Sequence, residues 1–298
     1  FNENLNISEE TNIVKVELIF MEDFLHFPEG PRLDDGGNLY FGDALDNGFY
    51  RFSEAEGVKK IDSIASGVGG VVIHEDGGVI YSGRQGMMHY QPKSGAVSRV
   101  DALWETRPLT GVNDIEADRF GNLYGGTLDF AAFERGVPPQ PGFLFRLDVD
   151  GSLTRLRDVG ISNGIAFSPL GGTMYFSESG EGVFSYDLSD SGNVTNRRLF
   201  AGLDDSDGVA VDIEGGLWVA RYLNNHLLYF NTNGDLLEEV MTPFDNVTSV
   251  TFGGKDMKEL YITGGTLGVK GKGGVAKLTV GIAGMKSHKT SVAILDSD

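Results

Sequence analysis

The sequence predicts an all-β protein, and three observations lead to that prediction. Glycine is abundant, at 43 of 298 residues, and it is spread along the whole chain, which indicates many tight turns. Between the turns lie stretches of about four to six residues that are rich in aromatic and β-branched side chains, as expected of strands. No stretch combines the sustained 3.6-residue apolar period and the capping residues that a helix requires.

A turn rich in Gly, Asp and Asn, followed by a short strand, recurs along the chain. The six segments are Gly36–Phe41, Gly77–Tyr81, Gly121–Tyr124, Gly171–Phe176, Gly215–Val219 and, less clearly, Lys258–Ile262. Counted from Gly37, Gly78, Gly121, Gly171 and Gly215, the intervals are 41, 43, 50 and 44 residues. This spacing is typical of a four-stranded propeller blade. We therefore predict a six-bladed β-propeller with four-stranded antiparallel blades.

The remaining strands of each blade are visible on both sides of the repeated turn. Gly208–Val211 is an example of an upstream strand, and His226–Phe230 is an example of a downstream strand. Six such units fill roughly residues 14 to 282, which leaves no room for a second domain. The prediction is one propeller domain over residues 1–298, in which residues 1–13 form a flexible N-terminal extension.

Closure of the ring removes the exposed edges that an open sheet would have. We expect a strand near Val14–Ile19 to complete the last blade, with a C-terminal strand near Val292–Ile294 as the alternative. The longest interval contains Phe133–Pro141, which is predicted to be a surface loop that overhangs the channel.

Four of the six predicted blades carry a polar residue eight positions before the turn glycine. These residues are Glu29, Asn113, Asn163 and Asp207. The corresponding positions in the second and sixth blades are Gly70 and the neighbourhood of Ser249–Val250. Because rotation about the propeller axis relates equivalent positions, the four side chains are expected to converge at the mouth of the channel. Carboxylate and amide oxygens suit a hard dication, so we predict one bound divalent metal: calcium fits best, with magnesium, manganese or zinc as alternatives.

A local explanation of these residues also exists. Asn, Asp and Glu beside glycine often form turns by binding their own backbone. The shared register in four blades favours convergence over four unrelated turns. Asp114 either orients Asn113 or caps a strand, and Asp43 is open to the same two interpretations.

Composition excludes several function classes. The formal net charge of −19 disfavours nucleic acids and anionic membranes as partners, although it equally describes an ordinary solvated acidic surface. The absence of cysteine excludes disulfides, thiolate metal sites and a cysteine nucleophile. No run of 18 apolar residues predicts a transmembrane helix. The chain begins with Phe1, so both a cytoplasmic protein and one exported after removal of a signal are expected alternatives; oligomeric state is open.

The segments around the four polar residues resemble the regucalcin (senescence marker protein)/gluconolactonase/luciferin-regenerating-enzyme-like family of metal-dependent six-bladed propellers. The resembling motifs are Pro28–Pro31, Asn113–Asp114 with Gly125–Thr127, Ser162–Gly164, Asp207–Val209 with Leu217–Ala220, and Phe252–Lys255 with Leu260–Thr263. The resemblance implies that Glu29, Asn163 and Asp207 bind the metal and that Asn113 is a further ligand or a substrate contact. It also implies that Asp207 is the catalytic base.

The implied reaction is hydrolysis of a lactone or a related ester, and some relatives hydrolyse organophosphates. Gly111 stands where the sugar-lactone hydrolases have an arginine, and Gly126–Leu128 leads into Asp129–Ala132 where they have a glutamate. Together with Phe130 and Phe133, these departures predict a small-molecule substrate that is less polar than a sugar lactone.

The mechanistic hypothesis is metal-assisted attack of water, deprotonated by Asp207 or delivered from the metal. Arg221–Tyr222 and His226 are candidate pocket residues, whereas Trp104 and Met87–Met88 are expected to be buried between blades. The rival hypotheses are a non-catalytic propeller that binds calcium or a small ligand, and a protein-interaction propeller without metal dependence.

Overall fold

The computed structural model describes residues 15–295 and forms a ring of six four-stranded antiparallel sheets. The predicted six-bladed propeller is therefore confirmed. The first blade comprises β2 (Pro28–Leu33), β3 (Leu39–Asp43), β4 (Asn47–Ser53) and β5 (Gly57–Ser66), and the second comprises β6 (Val71–Ile73), β7 (Val79–Gly83), β8 (Gly86–Gln91) and β9 (Ala96–Arg99). The predicted flexible extension, residues 1–13, lies outside the described part of the chain.

The next three blades follow the same order. The third comprises β12 (Val112–Ala117), β13 (Leu123–Thr127), β14 (Gly142–Leu147) and β15 (Leu153–Val159). The fourth comprises β16 (Ile161–Phe167), β17 (Thr173–Ser179), β18 (Gly182–Leu188) and β19 (Val194–Ala201). The fifth comprises β20 (Ser206–Val211), β21 (Leu217–Arg221), β22 (His226–Phe230) and β23 (Leu236–Met241). A short hairpin, β10 (Leu103–Trp104) and β11 (Arg107–Pro108), connects the second blade to the third.

The sixth blade closes the ring with strands from both ends of the chain. It consists of β24 (Asn246–Gly253), β25 (Glu259–Thr266), β26 (Val269–Thr279) and the N-terminal strand β1 (Val16–Glu22). The expected N-terminal closure is thus present, and the alternative through Val292–Ile294 is wrong. In every blade the first strand of the repeat is innermost, so β2, β6, β12, β16, β20 and β24 face one another around the channel.

The C-terminal segment, residues 280–295, crosses the end of the channel at which the innermost strands finish. It forms bridges from Gly284 to the fifth blade and from Thr290 and Ile294 to the second. Residues 285–288 line the cavity at that end of the channel. We call residues 280–295 the strap.

In the first, third and fifth blades, the turn of the repeat is set by a glycine with positive φ and by an aspartate three residues before it. Asp118 accepts backbone N–H groups two and four residues later, and Gly121 has φ +86°. In the second blade the residue with positive φ is Gly77, at +84°, rather than Gly78. The equivalent of the four polar residues in that blade is therefore Gly69 and not Gly70.

The segment predicted to be an overhanging loop begins as a short helix, α1 (Phe130–Arg135). This helix has no sequence signal, because its 6 residues are too few for an apolar period to be visible. Ala132 is fully buried, which anchors α1 against the blades. Among the described residues, no helix is long and apolar enough to cross a membrane.

Candidate functional site

A β-bulge recurs at the start of the innermost strands and sets the direction of the polar side chains. In the third, fourth and fifth blades, the pairing with the neighbouring strand slips between Val112 and Ile115, between Ser162 and Ile165, and between Ser206 and Val209. A similar slip follows Glu29 in the first blade. A bulge bends the strand and re-aims a side chain. The repeated bulge therefore turns Glu29, Asn113, Asn163 and Asp207 toward the same mouth of the channel.

The glycine that follows three of these residues permits neighbouring blades to approach closely. A Cβ atom on Gly164 would lie 2.6 Å from the Asp207 carbonyl oxygen, and one on Gly208 would lie 2.1 Å from Ser249 Oγ. Larger residues would push the innermost strands apart. Close packing of the backbones is thus what brings the side chains of adjacent blades within bonding distance.

The two amides are bonded to each other across the third and fourth blades. Asn113 Nδ2 donates to Asn163 Oδ1 and to the Ser162 carbonyl oxygen, each at 2.7 Å. Asn163 Nδ2 in turn donates to Ser179 Oγ at 2.7 Å. All three side chains are buried. These contacts join separate blades, so the local turn interpretation of Asn113 and Asn163 does not hold.

The two carboxylates are buried without a cation. Glu29 and Asp207 are 6% and 4% exposed. Apart from Arg84, no described side chain donates a hydrogen bond to either carboxylate, and no described lysine or arginine lies within ion-pair distance of one. Burial raises the pKa of Glu29 well above its ordinary value, and the charge of Asp207 raises it further. Burial also raises the pKa of Asp207, with the charge of Asp114 adding to the effect.

Such a donor set fits a hard dication. Two buried carboxylates and an amide oxygen are oxygen donors of the kind that calcium accepts in irregular geometry. A dication would offset the uncompensated negative charge that burial makes costly. The residues present therefore fit the predicted metal.

Asp114 lies deeper in the channel than its neighbour Asn113. Burial raises the pKa of Asp114 to about 7, and Arg32 opposes the rise. Arg32 is itself paired with Glu116 at 2.7 Å and donates to the Val71 carbonyl oxygen at 3.0 Å. Asp114 therefore shares the charged surroundings of Arg32 and Glu116 in the channel, and its two expected roles stay predictions.

Asp43 has a structural role. It is fully buried, and its carboxylate accepts four backbone N–H groups, from His26, Phe27, Leu45 and Asp46, at 2.7 to 3.2 Å. These bonds fix the segment before β2 against the turn after β3. Asp43 thereby holds the strand that carries Glu29.

The rim beside the site holds residues that the sequence only partly indicated. Gly111 has φ +65°, and a Cβ atom there would lie 2.9 Å from the Leu128 carbonyl oxygen, so an arginine does not fit this backbone. The Gly111 N–H donates instead to the Arg84 carbonyl oxygen at 3.0 Å. The Arg84 guanidinium lies 5.3 Å from the centre of the Phe130 ring. Sequence reasoning missed Arg84, because no motif links the end of β7 to this rim.

Of the other candidate pocket residues, Arg221 and Tyr222 lie near the channel mouth, whereas His226 lies away from it. Arg221 pairs with the buried Asp205 at 2.8 Å, and Tyr222 is close enough to Asp207 for that charge, after burial, to raise the pKa of the tyrosine. His226 bonds to Asn224 at 2.9 Å at the start of β22, away from the innermost strands. Trp104 packs on Phe143, and Met87 is buried in the core between the second and third blades.

The fold and the amino acids at the channel mouth define a class of six-bladed β-propellers with a polar site at one end of the central channel. Residues 27–266 match the SMP-30/Gluconolactonase/LRE-like region. The chain belongs to this family, and the predicted family resemblance is confirmed.

Individual relatives extend the match over most of the chain. Pentonolactonase XacC of Haloferax volcanii is 31% identical over 259 residues, which is 82% of this chain and 83% of that protein. Regucalcin of Xenopus laevis is 27% identical over 293 residues, covering 91% and 97%. Among solved structures, a luciferin-regenerating enzyme superposes with a TM-score of 0.76 at 25% identity and covers 94% of this chain and 100% of that one.

Proposed function

We propose that this protein is a calcium-dependent hydrolase of a lactone or a related ester. The observation that carries the proposal is the pair of buried carboxylates, Glu29 and Asp207, at the channel mouth, where the charge of Asp207 raises the pKa of Glu29. Asn163 would supply a third oxygen, and Asn113 would be a fourth ligand or a substrate contact. Magnesium, manganese and zinc are the alternative metals.

The relatives support the type of reaction. One is named a pentonolactonase, another a sugar lactone lactonase, and another a 6-deoxy-6-sulfogluconolactonase. These names share a cyclic ester that is opened by water. We infer the same bond type for this chain, while its rim selects a different substrate.

The bound dication would supply Lewis-acid stabilisation of the negative charge that develops on the carbonyl oxygen. Asp207 is the residue we assign as general base. The N–H of Gly208 lowers the pKa of the Asp207 carboxyl, and a carboxylate oxygen of Asp207 would take the proton from the attacking water. Asn113, fixed by its two bonds to the fourth blade, presents a rigid amide edge against which the substrate is oriented.

The rim favours a substrate with fewer hydroxyl groups than a sugar lactone. Phe130 is packed over the rim beside Gly67, where a Cβ atom would lie 3.0 Å from its ring. The backbone at Gly111 excludes the arginine with which the sugar-lactone enzymes hold their substrate. The apolar surface of Phe130 and the lack of an arginine at position 111 leave fewer hydrogen bonds for a polyhydroxylated substrate.

A panel assay tests the proposal. Sugar lactones, alkyl-substituted lactones, aryl esters and an organophosphate are incubated with the chelator-treated full chain, with and without added calcium. We expect calcium-dependent turnover that is highest for an alkyl-substituted lactone, and we expect Asp207→Asn to reduce it about 10²- to 10⁴-fold.

Three other results would contradict parts of the proposal. Metal-dependent protection against heat with no turnover of any compound would identify a binding propeller instead of an enzyme. Unchanged turnover by Asp207→Asn with calcium still bound would eliminate Asp207 as the base. An organophosphate as the preferred compound would replace the proposed substrate class.

A further inference from the structure

A second group of metal-binding side chains lies in the second blade, outside the channel mouth. His74 follows β6, Asp76 lies in the next turn, and His89 lies on β8 opposite Ile80. His74 Nδ1 is 2.8 Å from Asp76 Oδ1, and His89 Nε2 is 3.2 Å from Asp76 Oδ2. The three ligand atoms lie within 4.8 Å of one another. We propose that His74, Asp76 and His89 bind a transition-metal dication, with zinc as the best fit.

The surroundings of His74 support this assignment. Its Nε2 lies 3.1 Å from the carbonyl oxygen of Val292, which can only accept, so Nε2 carries the proton. Nδ1 is then the unprotonated nitrogen: its single lone pair accepts the Asp76 N–H at a long 3.3 Å, while Asp76 Oδ1, a second acceptor, lies 2.8 Å away. A cation between these two acceptors would convert their repulsion into two ligand bonds. A backbone carbonyl behind the imidazole is also the usual arrangement of a metal-ligating histidine.

In the fifth blade, the positions equivalent to His74 and His89 hold Asp212 and Tyr229, which form a pair through a direct hydrogen bond. There Asp212 accepts the N–H groups of Glu214 and Gly216, both at 2.9 Å, and Tyr229 donates to Asp212 at 2.6 Å. The polar groups of that aspartate and tyrosine therefore have hydrogen-bond partners within the blade, and these bonds stabilise the turn. In the second blade both positions are imidazoles, and a third residue supplies the carboxylate.

Exposure and ligand chemistry distinguish this group from the channel mouth. The two imidazoles are buried, whereas the Asp76 side chain is 42% exposed, which leaves a path for an ion and room for water ligands. Two imidazoles and one carboxylate suit zinc, cobalt or nickel and do not suit calcium, which prefers oxygen. This inference does not depend on the proposed hydrolase activity.

Titration of the chelator-treated full chain with Zn²⁺, in excess calcium that keeps the channel mouth saturated, tests the site. Calorimetry gives the stoichiometry, and the visible absorption of Co²⁺ reports nitrogen ligation. We expect one zinc equivalent, with an affinity that falls about tenfold or more in Asp76→Asn and in His89→Gln. His226→Gln, in which the lost imidazole bonds only outside this group, and Asp207→Asn should keep that equivalent.

Asp76→Asn decides the matter if His89→Gln does not fold, because Asp76 is partly exposed and the change preserves its shape. Circular dichroism and thermal melting in chelator verify the fold of each variant. Zinc affinity that is equal in the wild type, Asp76→Asn and His89→Gln would overturn the proposal. No zinc binding to the wild type would also overturn it, and would leave the two histidines as a hydrogen-bonded turn lock like that of the fifth blade.

Discussion

The two ends of the central channel treat their acidic residues in opposite ways. At the mouth, Glu29 and Asp207 are buried, and the charge of Asp207 raises the pKa of Glu29. At the strap end, Glu116 is paired with Arg32 at 2.7 Å, and Asp35 is paired with both Lys286 and Lys289 of the strap. Asp205 beside the mouth is also paired, with Arg221, so the contrast concerns Glu29 and Asp207 themselves. Comparison of the two ends thus separates acids in ion pairs of the chain from the two acids that we propose to bind a cation.

The comparison is tested most strongly by the same acid-to-amide change at each end. Asp207→Asn should abolish most turnover, by about 10²- to 10⁴-fold, yet it should leave the chelated protein as stable as the wild type or more stable, because a buried repulsive charge is removed. Glu116→Gln should lower the free energy of unfolding by about 2–4 kcal/mol, because Arg32 loses its buried counterion. Urea unfolding in chelator measures the stabilities, and initial rates with calcium measure turnover.

Equal destabilisation by Asp207→Asn and Glu116→Gln would contradict the proposed difference between the two ends. Glu116→Gln should retain turnover within a few-fold at temperatures where it is folded, since it lies away from the proposed ligands. A catalytic loss as large as that of Asp207→Asn would mean that the charged residues of the channel take part in the reaction.

The pH dependence of metal stabilisation sharpens the comparison. Burial raises the pKa of Glu29 and of Asp207, and that of Asp114 to about 7, so without metal these groups release their protons at higher pH than ordinary carboxyl groups. Stability from a raised carboxyl pKa is fully present below the unfolded value, near 4, and is lost as pH rises through the folded value. Calcium binds the ionised form and therefore competes with protons.

The rise in melting temperature on adding calcium should accordingly be small near pH 5 and largest at about pH 8. Melting curves with calcium and with chelator across this range measure it. Asp35→Asn is the matched control at the strap end, where hydrogen bonds from Lys286 and Lys289 hold the pKa of Asp35 at about 2. This control should not change the trend. A calcium effect that is equal at the two pH values would show that the mouth carboxylates do not bind the ion.

The smallest expected effect concerns the attachment of the strap. Lys286 and Lys289 are 71% and 38% exposed, so their pairs with Asp35 should contribute less than about 1 kcal/mol each and weaken in salt. Thr290 is fully buried and donates to the Gly121 carbonyl oxygen at 2.8 Å. Thr290→Val should cost about 1 kcal/mol, because one buried hydrogen bond is lost while the Gly121 carbonyl keeps the Ser291 N–H at 3.0 Å. Urea unfolding of Thr290→Val and of the Lys286→Ala/Lys289→Ala double variant compares them; a larger cost for the lysines would contradict this order.

Much of the fold was predictable because short patterns of neighbouring residues determine its turns and strands. The positive-φ glycines and the preceding aspartates fix the turns wherever they occur, and the repeat interval then fixes the number of blades. The errors arose where a local signal was ambiguous. Gly77 and Gly78 are adjacent, and only the backbone angle shows that Gly77 sets the turn of the second blade. The helix α1 is too short to show an apolar period.

The candidate site was only partly predictable. The common register predicted that four polar side chains converge, those of Glu29, Asn113, Asn163 and Asp207. In the structure the recurring bulge turns these side chains toward one mouth of the channel. Their role as metal ligands stays a prediction. The position of Arg84 beside Phe130 had no sequence signal, because a cation–aromatic contact between different blades depends on the ring being closed.

The sequence by itself determined the repeat, the six blades and the residues that open the innermost strands, since turn geometry and strand alternation are properties of neighbouring residues. Only the tertiary structure decided which acids are compensated. Arg32 meets Glu116, and Asp35 meets Lys289, across separations of 84 and 254 residues. Solvent is excluded from the channel only when the ring and the strap are in place. The uncompensated charge at the mouth is therefore a property of the closed propeller rather than of any segment of the chain.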